Sequence, residues 1–370
     1  MTLDAAAPAR TRGTVRIVGT GLLGTSAALA LTLRGVDVVL TDPSPTAVAL
    51  ARDLGAGRLA GPEDDPALVL VACPPDVVAD VVADELEVFG AAVVTDVASV
   101  KGGPLKSLRA MGADLTRYVG SHPMAGRERS GAVAARTDLF AGRPWVIAPT
   151  EAVGPSALQA VRDLALDCGG VPVTMPAHEH DEAVALVSHA PQVAASLVAA
   201  RLRDASEPAV GLAGQGLRDV TRIAGSDPAL WSQILAGNAG PVADVLEALR
   251  EDLEEVIGAL RALATDSGAP GARGRLARAI ADGGAGRDRI PGKHGSAPAV
   301  YATVLVVVPD RPGALGRLLT DVGEAGVNLE DLRLEHSEGQ AVALASIDVV
   351  PAAADPLAQA LRSRGWTVPR

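Results

Sequence analysis

Aromatic residues and cysteines are scarce in this sequence of 370 residues, and each scarcity excludes a class of structure. Phe, Trp and Tyr together make up 2% of the chain, so any hydrophobic core must be built from Ala, Val and Leu. Cys73 and Cys168 are the only cysteines. Two cysteines cannot form a disulfide framework of the kind that stabilises small secreted domains, nor can they supply a four-thiolate metal site.

Long hydrophobic runs and an excess of basic charge are also missing. No apolar run approaches the roughly 20 residues that span a bilayer, and the first residues do not resemble a signal peptide. We therefore expect a cytoplasmic protein without a membrane segment. The formal net charge is −11, whereas a nucleic-acid partner requires a basic face. The composition, 48% hydrophobic and 21% charged, is that of a soluble globular protein, and the length indicates two or three domains.

Short apolar, β-branched runs alternate with helical patterns up to about residue 150. Such runs are typical of strands that are buried on both faces of a parallel sheet. Their alternation with helices predicts a doubly wound α/β (Rossmann) domain over residues 13–153. The predicted strands are 15–18, 36–40, 67–72, 92–95, 118–120 and 145–148.

The pattern changes twice further along the chain. Residues 154–265 are dominated by Ala- and Leu-rich helical periodicity and predict an all-α domain that provides a dimer interface. Residues 266–298 are dense in Gly, Pro, Arg and Asp and predict a linker or an exposed extended segment. Residues 299–370 follow a β-α-β-β-α-β order, which predicts a ferredoxin-like domain.

The first predicted strand leads directly into a glycine-rich turn, Gly19-Thr-Gly21-Leu-Leu-Gly24, that opens a helix. Gly19 permits the tight turn, Gly21 lets the backbone approach a pyrophosphate, and Gly24 allows the helix to pack closely on the strand. The free N–H groups at the start of the helix, where Leu22 and Leu23 lie, favour an anion. This strand–turn–helix context makes the motif a dinucleotide-binding fingerprint.

Asp42 indicates which dinucleotide to expect. It follows the second predicted strand, 18 residues after Gly24. A carboxylate at that place accepts hydrogen bonds from the adenosine ribose hydroxyls and repels a 2′-phosphate. No Arg or Lys follows Asp42 before Arg52. The sequence therefore predicts NAD rather than NADP as the cofactor.

Two of the predicted strands end in reactive polar side chains. Ser99 follows the strand at 92–95, and His122 follows the strand at 118–120. Because ligands bind beyond the carboxyl ends of parallel strands, we expect both side chains to face the nicotinamide. A histidine there can take the proton of a substrate hydroxyl while hydride leaves the same carbon. A serine beside it can fix the imidazole tautomer or bond to the same hydroxyl.

Four ordered segments resemble the TyrA family of prephenate and arogenate dehydrogenases over residues 14–265. They are DVASVK at 96–101, SHPMAGRERSG at 121–131, EHDEAVALVSHAPQ at 179–192 and LRDVTRIA at 217–224. The resemblance implies an oxidative decarboxylation, in which a cyclohexadienol ring gives hydride to NAD and loses its carboxylate as carbon dioxide. It favours prephenate as the substrate, in tyrosine biosynthesis, with arogenate as the alternative.

The resemblance also implies roles for individual residues. His122 matches the family's catalytic histidine, with Ser99 as its partner, and Arg222 matches an arginine that binds a substrate carboxylate. The parallel N–H groups of a guanidinium suit that task on physical grounds as well. Glu128 matches an acidic residue that helps to order the site. Gln192 stands where some members have a histidine that contacts the substrate side chain, and an amide fits a keto group or an amino-acid head group equally well.

Three further histidines lie in the third of these segments or next to it. His189 shares a helix face with Gln192 and is interpreted either as a buried, hydrogen-bonded helper or as a substrate-pocket residue. His178 and His180, together with Asp181, suggest a metal site at first sight. The chemistry needs no metal, so no metal is expected and a capping or surface role is predicted for them.

Residues 304–329, VLVVVPDRPGALGRLLTDVGEAGVNL, resemble the opening of ACT domains, which are small ferredoxin-like modules that bind amino acids. Asp310 and Gly313 lie where a strand end meets a helix start, a place suited to a carboxylate, and Asn328 enters the next strand. The resemblance implies that tyrosine binds here as an allosteric inhibitor. A purely structural dimerisation module is the alternative.

Two other classes of protein share parts of this pattern. β-Hydroxyacid dehydrogenases also combine a Rossmann domain with helices, but they rely on a lysine in the helical domain, and residues 180–263 contain none. A regulator that only senses NAD and an amino acid would have no use for Ser99, His122 and Arg222 together. The sequence therefore predicts an NAD-dependent dehydrogenase that forms a homodimer.

Overall fold

The structure is a computed structural model that describes residues 8–126, 131–291, 301–336 and 341–369. Internal contacts divide the chain into two compact units, Met1–Glu251 and Asp252–Arg370. Each unit contains a β-sheet of its own, with eight strands in the first and three in the second.

The eight-stranded sheet forms the centre of the first unit. Its strands are β1 (Val15–Val18), β2 (Val38–Thr41), β3 (Arg58–Leu59), β4 (Leu68–Val71), β5 (Val93–Asp96), β6 (Tyr118–Pro123), β7 (Pro144–Ala148) and β8 (Val171–Thr174). They lie in the order β3-β2-β1-β4-β5-β6-β7-β8, and every neighbouring pair is parallel except β6 with β7. The strand order reverses between β1 and β4, and ligands of such sheets bind at this switch point, beyond the carboxyl ends of the strands.

Helices cover both faces of this sheet. They are α1 (Leu22–Leu33), α2 (Pro45–Asp53), α3 (Val78–Val88), α4 (Gly102–Met111) and α5 (Pro155–Asp167). Leu68 and Leu70 of β4 belong to the core cluster that includes residues of α1 and α5, whereas Val69 and Val71 belong to the cluster that includes residues of α3 and α4. A strand buried on both faces accounts for the continuous apolar run in the sequence. The predicted doubly wound α/β domain is confirmed.

Two strands, β3 and β8, are absent from the sequence-based prediction. β8 pairs in parallel with β7, so the sheet continues to Thr174 and the expected domain boundary at residue 153 is wrong. β8 is an edge strand, it is largely exposed, and it contains Pro172. An edge strand tolerates a proline because one of its sides needs no N–H donors. It therefore lacks the apolar run that identifies the central strands.

The segment after the sheet is helical, as predicted. Its helices are α6 (Ala177–Val184), α7 (Ala190–Ala200), α8 (Glu207–Val210), α9 (Gln215–Thr221), α10 (Pro228–Gly237) and α11 (Ala239–Thr265). A π-helical turn, Ala185–His189, joins α6 to α7, because Pro191 in the first turn of α7 has no N–H to donate backwards.

The continuous helical stretch Ala177–Asp204 is long and apolar enough to match a membrane span, which the sequence analysis did not expect. Length and composition alone are weak grounds, since the core helix of a globular protein meets the same criterion. This stretch carries four buried polar side chains, His180, Asp181, His189 and Gln192, all of which have partners inside the protein. We therefore regard it as a partly buried helix of the first unit.

A helix, α12 (Ala272–Arg287), occupies much of the segment predicted to be a linker. The expectation of an extended segment at 266–298 is therefore wrong for these residues, while 292–298 lie outside the described part of the chain. The glycines of this stretch suggest a loop, but its alanines, arginines, Leu276 and Ile280 are good or acceptable helix formers.

A three-stranded antiparallel sheet forms the rest of the second unit. Its elements are β9 (Ala302–Pro309), α13 (Ala314–Glu324), β10 (Asp331–His336), β11 (Val342–Val349) and α14 (Pro351–Ser363). The strand order is β10-β11-β9, and Thr367 adds a single bridge to Val307. Alternate residues of β9, such as Val306 and Val308, pack in one cluster with Leu318 of α13. The predicted ferredoxin-like order is confirmed, with its last strand reduced to one bridging residue.

Candidate active site

The turn between β1 and α1 has no room for a side chain at two of its three glycines. Gly19 has a φ of 97°, and a Cβ there would lie 2.6 Å from the carbonyl oxygen of Ala72. A Cβ on Gly24 would overlap the carbonyl oxygen of Gly19. A Cβ on Gly21 would instead meet nothing within 4 Å, so this residue borders open space. The turn thus combines the close packing and the open backbone that a pyrophosphate site requires.

Asp42 is fixed to that turn by hydrogen bonds. Its Oδ2 accepts from the N–H of Thr20 at 2.7 Å and from the Thr20 hydroxyl at 3.0 Å, and its Oδ1 accepts from the N–H of Ser44 at 2.8 Å. These bonds hold the carboxylate just after β2, close to the start of α1, where Leu22 and Leu23 lie. Since a carboxylate has about four acceptor positions, capacity remains for a ribose hydroxyl.

A buried lysine, which no sequence pattern marked as a site residue, connects β5 and β6 to the start of α4. The Nζ of Lys101 donates to Oδ1 of Asp96 and, at 2.7 Å, to the carbonyl oxygen of Ser121. The hydroxyl of Tyr118 donates to the other oxygen of Asp96 at 2.7 Å. Burial lowers the pKa of Lys101, and the Asp96 carboxylate opposes that shift. Together these groups hold the carboxyl ends of β5 and β6 in a fixed position.

His122, near the end of β6, has a second histidine as its partner. Its Nδ1 lies 2.9 Å from Nε2 of His180, and Nδ1 of His180 lies 2.8 Å from Oδ1 of Asp181. His180 is completely buried. The capping or surface role predicted for His180 is therefore wrong, because α6 packs against the sheet edge and carries this side chain inward.

Asp181 also binds the backbone at the start of α4. Its Oδ1 accepts from the N–H of Lys101 at 2.8 Å, and its Oδ2 accepts from the N–H of Gly102 at 2.7 Å. Burial raises the pKa of Asp181, but the hydrogen bonds from His180, Lys101 and Gly102 outweigh burial and leave it below its ordinary value. Asp181 is therefore an anion. Within the described ranges of the chain, no group of three His, Cys, Asp or Glu side chains is arranged to hold a metal ion.

The environment of the site keeps two of its histidines neutral. Burial lowers the pKa of His122 well below 6.5, and electrostatic interactions with His180, Lys101 and His189 lower it further. Burial lowers the pKa of His189 to about 4, although Asp181 opposes the shift. A neutral imidazole is the form that accepts a proton, so His122 has the protonation state of a base at neutral pH.

Ser99 lies half-buried in the loop between β5 and α4. In the described part of the chain no hydrogen bond joins Ser99 to His122, whose Nδ1 is bonded to His180 instead. The predicted partnership of Ser99 with His122 is therefore not formed in this structure. The loop of Ser99 follows the carboxyl end of β5, which is the end at which ligands of such sheets bind.

His189, the last residue of the π-helical turn, is buried and hydrogen-bonded. Its Nδ1 lies 3.1 Å from Nδ2 of Asn238, which also donates to the carbonyl oxygen of Asp181 at 2.8 Å. The imidazole packs edge-on against the ring of Trp231, with centroids 6.0 Å apart. This geometry favours the interpretation of His189 as a hydrogen-bonded helper.

Gln192 supports the turn that carries Arg222. Its Nε2 donates to the carbonyl oxygen of Ile223 at 2.9 Å, and its Oε1 accepts from the hydroxyl of Ser226 at 3.4 Å. Both partners lie in or next to the 3-10 turn Arg222–Gly225. Gln192 is buried, whereas Arg222 is exposed. The structure brings these two predicted site residues together through the backbone, with the amide of Gln192 already engaged.

The remaining predicted residues are Glu128 and three residues of the second unit. Glu128 falls outside the described residues. In the second unit, Asp310 and Asn328 are exposed, and Nδ2 of Asn328 donates to Oε1 of Glu330 at 3.2 Å. Gly313 precedes α13 with a φ of 83°, a conformation that favours glycine.

A dinucleotide turn and a half-buried, neutral histidine at the carboxyl ends of the strands of one sheet define an NAD-dependent dehydrogenase. Comparisons with known proteins specify which kind. Residues 27–174 match the prephenate dehydrogenase nucleotide-binding domain, 176–269 the prephenate dehydrogenase dimerization domain, and 302–363 the ACT domain. The chain belongs to the prephenate dehydrogenase family, as the sequence segments indicated. The first match ends at residue 174, where β8 ends.

Individual relatives agree with this assignment. The chain is 42% identical over 301 residues to a probable prephenate dehydrogenase of Streptomyces niveus, which covers 80% of this chain and 83% of that protein. It is 31% identical over 258 residues to a cyclohexadienyl dehydrogenase of Zymomonas mobilis, which covers 65% of this chain and 86% of that protein. A solved structure of prephenate dehydrogenase from A. aeolicus with hydroxyphenyl propionate and NAD+ superposes with a TM-score of 0.66 at 27% identity, over 76% of this chain and 99% of that chain.

Proposed function

We propose that this chain oxidises and decarboxylates prephenate to 4-hydroxyphenylpyruvate with NAD, in tyrosine biosynthesis. The observation that carries the proposal is the state of His122, which is half-buried, neutral and held by His180 at the end of the sheet where a dinucleotide binds. A regulator that only senses NAD would have no need of a neutral histidine base in that position. The identity to a probable prephenate dehydrogenase supports the choice of substrate.

The proposed reaction needs a base that returns its proton. His122 accepts the hydroxyl proton of the cyclohexadienol while hydride leaves the same ring carbon for NAD. The ring carboxylate then leaves as carbon dioxide, its bonding electrons complete the aromatic ring, and the oxygen of the new phenol takes the proton back from His122. The conversion therefore consumes one NAD and releases one carbon dioxide without a net proton. The hydrogen bond from His122 to His180 suits this sequence, because it keeps the ring in place between the two steps.

The glycine turn provides the cofactor site in this proposal. The backbone of the turn and the first N–H groups of α1 hold the pyrophosphate. The remaining acceptor capacity of Asp42 binds the adenosine ribose, and its charge repels a 2′-phosphate, so NAD is preferred over NADP. When bound there, NAD supplies the acceptor for the hydride.

Arg222 is the proposed ligand of a substrate carboxylate, because it is an exposed arginine on a turn whose backbone is bonded to Gln192. The amide of Gln192 is engaged by Ile223 and Ser226, so it does not select between the pyruvyl side chain of prephenate and the alanyl side chain of arogenate. Arogenate is therefore the alternative substrate. Ser99 is proposed to bond to the ring hydroxyl from the loop after β5.

We also propose that the enzyme is a cytoplasmic homodimer. The match of residues 176–269 to a dimerization domain supports this assembly. The long helix α11 supports it as well, because Leu249, Leu253 and Leu260 are 46%, 54% and 52% exposed. Their spacing of four and seven residues places them on one helix face, as in a helix–helix interface. Sedimentation of the purified chain tests the assembly.

Inhibition by tyrosine at the C-terminal domain completes the proposal. The match of residues 302–363 to the ACT domain supports it, and the site would lie around Asp310, Gly313 and Asn328. Tyrosine titrated against the full chain and against a chain truncated at residue 298 tests the idea. Equal sensitivity of the two chains, or none in either, contradicts it and leaves a structural role for the domain.

The activity itself is tested by offering prephenate and arogenate separately to the purified chain with NAD and following NADH formation. Turnover of prephenate supports the proposal, and turnover of arogenate alone replaces it with the alternative. If neither substrate is turned over by a chain that binds NAD, the dehydrogenase function is refuted and a sensing role is favoured. His122→Asn gives the background rate.

A further inference from the structure

His122 receives its only ring-nitrogen partner in the described structure from α6. The rings of His122 and His180 meet edge-on, with centroids 5.1 Å apart and planes at 77°, so that Nδ1 of the first points to Nε2 of the second. We infer that His180 and Asp181 are a positioning pair, which fixes the tautomer of His122 and stabilises the proton that His122 takes from the substrate. The inference rests on the proposed function, in which His122 is the base.

The direction of each hydrogen bond follows from the charge of Asp181, which is the last of the three hydrogen-bonded groups His122, His180 and Asp181. An ionised carboxylate only accepts hydrogen bonds, so the Nδ1 of His180, 2.8 Å from Asp181, must carry the hydrogen. In a neutral imidazole the other nitrogen is then an acceptor. The Nε2 of His180 therefore accepts from Nδ1–H of His122, which leaves the Nε2 of His122 with a free lone pair. This is the tautomer that a general base needs.

The opposite arrangement would have Nε2 of His180 donate to Nδ1 of His122. The hydrogen of a neutral His122 would then lie on its Nε2, which would leave no lone pair there for the substrate proton. Of the charged groups around the two rings, Lys101 is paired with Asp96, whereas Asp181 is the anion that contacts His180.

The same contacts stabilise the protonated state during the reaction. When Nε2 of His122 accepts the hydroxyl proton, the ring becomes positive and its Nδ1–H donates to His180. The proton on Nδ1 can then cross to His180, which places the charge beside Asp181. An aspartate stabilises the imidazolium of a serine-protease triad in a comparable way. The proton returns along the same two hydrogen bonds when the phenol oxygen forms, so the step balances without solvent.

Asp181 is held in position by hydrogen bonds from residues that are distant in the sequence. Both of its oxygens accept from N–H groups at the start of α4, and its carbonyl oxygen accepts from Asn238. A Cβ on Gly102 would lie 2.8 Å from Oδ2 of Asp181, so glycine at that position gives the carboxylate its room. The carboxylate therefore faces three N–H donors, those of His180, Lys101 and Gly102. An amide nitrogen at residue 181 would meet one of these donors and could not bond to it.

Four variants separate the two proposed roles of the pair, which are to fix the tautomer of His122 and to stabilise the proton that it takes. His180→Leu removes both the acceptor for His122 and the group that shares its charge. His180→Gln retains an amide oxygen that accepts from Nδ1–H, but it cannot take the proton. Asp181→Asn brings N–H donors to the place where His180 and two backbone N–H groups already donate, which forces His180 into the wrong tautomer. His178→Gln is the matched control, because His178 is an exposed histidine on the same helix.

The expected results are differences in kcat rather than in KM. His180→Leu should lower kcat roughly 100-fold, which is within the range that a general base contributes. His180→Gln should recover part of that loss. Asp181→Asn should cost about 1000-fold or more, since a wrong tautomer in a serine protease costs about 10,000-fold. KM for prephenate and the affinity for NAD should change by less than about 3-fold, and His178→Gln should behave as the unchanged enzyme.

A second measurement on the unchanged chain does not depend on the folding of a variant. Two-dimensional NMR of the imidazole nitrogens, with His122→Asn to assign the signals, should show His122 protonated at Nδ1 and bare at Nε2 at neutral pH. The opposite tautomer overturns the inference. So does a kcat within about 3-fold of the unchanged enzyme for both His180→Leu and Asp181→Asn, when prephenate is turned over and His122→Asn is inactive. Absence of turnover in the unchanged enzyme would instead refute the proposed function.

Discussion

Lys101→Met removes a positive charge from the interior of the first unit and keeps an unbranched side chain in its place. In the unchanged protein the Nζ of Lys101 neutralises Asp96, whose side chain is fully buried, and bonds to the carbonyl oxygen of Ser121. The variant leaves Asp96 with the hydroxyl of Tyr118 and the N–H of Ala98 as donors, but with no countercharge.

The size of the effect follows from that geometry. Breaking a buried ion pair by removing one partner costs about 3–5 kcal/mol, because the other charge remains buried. We expect Lys101→Met to lower the free energy of unfolding by that amount. Lys106→Met, on the exposed side of α4, should change it by less than about 0.5 kcal/mol. Asp96→Asn added to Lys101→Met should recover part of the loss, since no unpaired charge is then buried.

Urea unfolding followed by tryptophan fluorescence measures these differences. Of the three tryptophans, Trp145 is fully buried in the sheet and donates to the hydroxyl of Ser121, next to the affected contacts. Replacing Trp231 and Trp366 by phenylalanine in every protein compared makes Trp145 the reporter. If Lys101→Met unfolds at the same urea concentration as Lys106→Met, the ion pair does not hold the site as described.

The other predictions concern the reaction. His122→Asn should lower kcat by about 100-fold or more at near-normal NAD affinity, and full turnover would contradict its role as base. Because burial keeps the pKa of His122 well below 6.5, the base stays unprotonated on mild acidification. The value of kcat/KM should therefore not fall as the pH drops through 6.5. A fall centred at that pH would show that the pKa of His122 is not lowered. Asp42→Ala should reduce the preference for NAD over NADP, measured as the ratio of their kcat/KM values, and an unchanged ratio counts against a ribose contact. Gln192→Leu and Arg222→Ala should both raise KM for prephenate about 10-fold or more with smaller effects on kcat, whereas Gln215→Leu, at a half-buried glutamine of α9, should not. A normal KM in Gln192→Leu would show that the turn of Arg222 needs no support from Gln192.

The sequence by itself determined the features that depend on local backbone geometry. The glycine turn could be predicted because Gly19 and Gly24 lie where a Cβ would collide with backbone oxygens, so that only glycine fits there. The central strands could be predicted because burial on both faces of the sheet requires apolar residues at nearly every position. Asp42 could be found because the carboxylate follows the second strand at a spacing set by one β-α-β unit. These features establish the fold class and the cofactor.

The tertiary structure alone decided which side chains meet. His122 and His180 are 58 positions apart, and nothing in the periodicity of α6 shows that it packs against the end of β6. The buried Lys101 resembled an ordinary helix-start residue, and Gln192 resembled a substrate ligand until its bonds to the turn of Arg222 were seen. Edge strand β8 and helix α12 were missed for a related reason, since exposed elements need no apolar pattern. A local sequence pattern reflects the backbone conformation and the burial of its own segment, whereas hydrogen-bond partners depend on how separate elements pack.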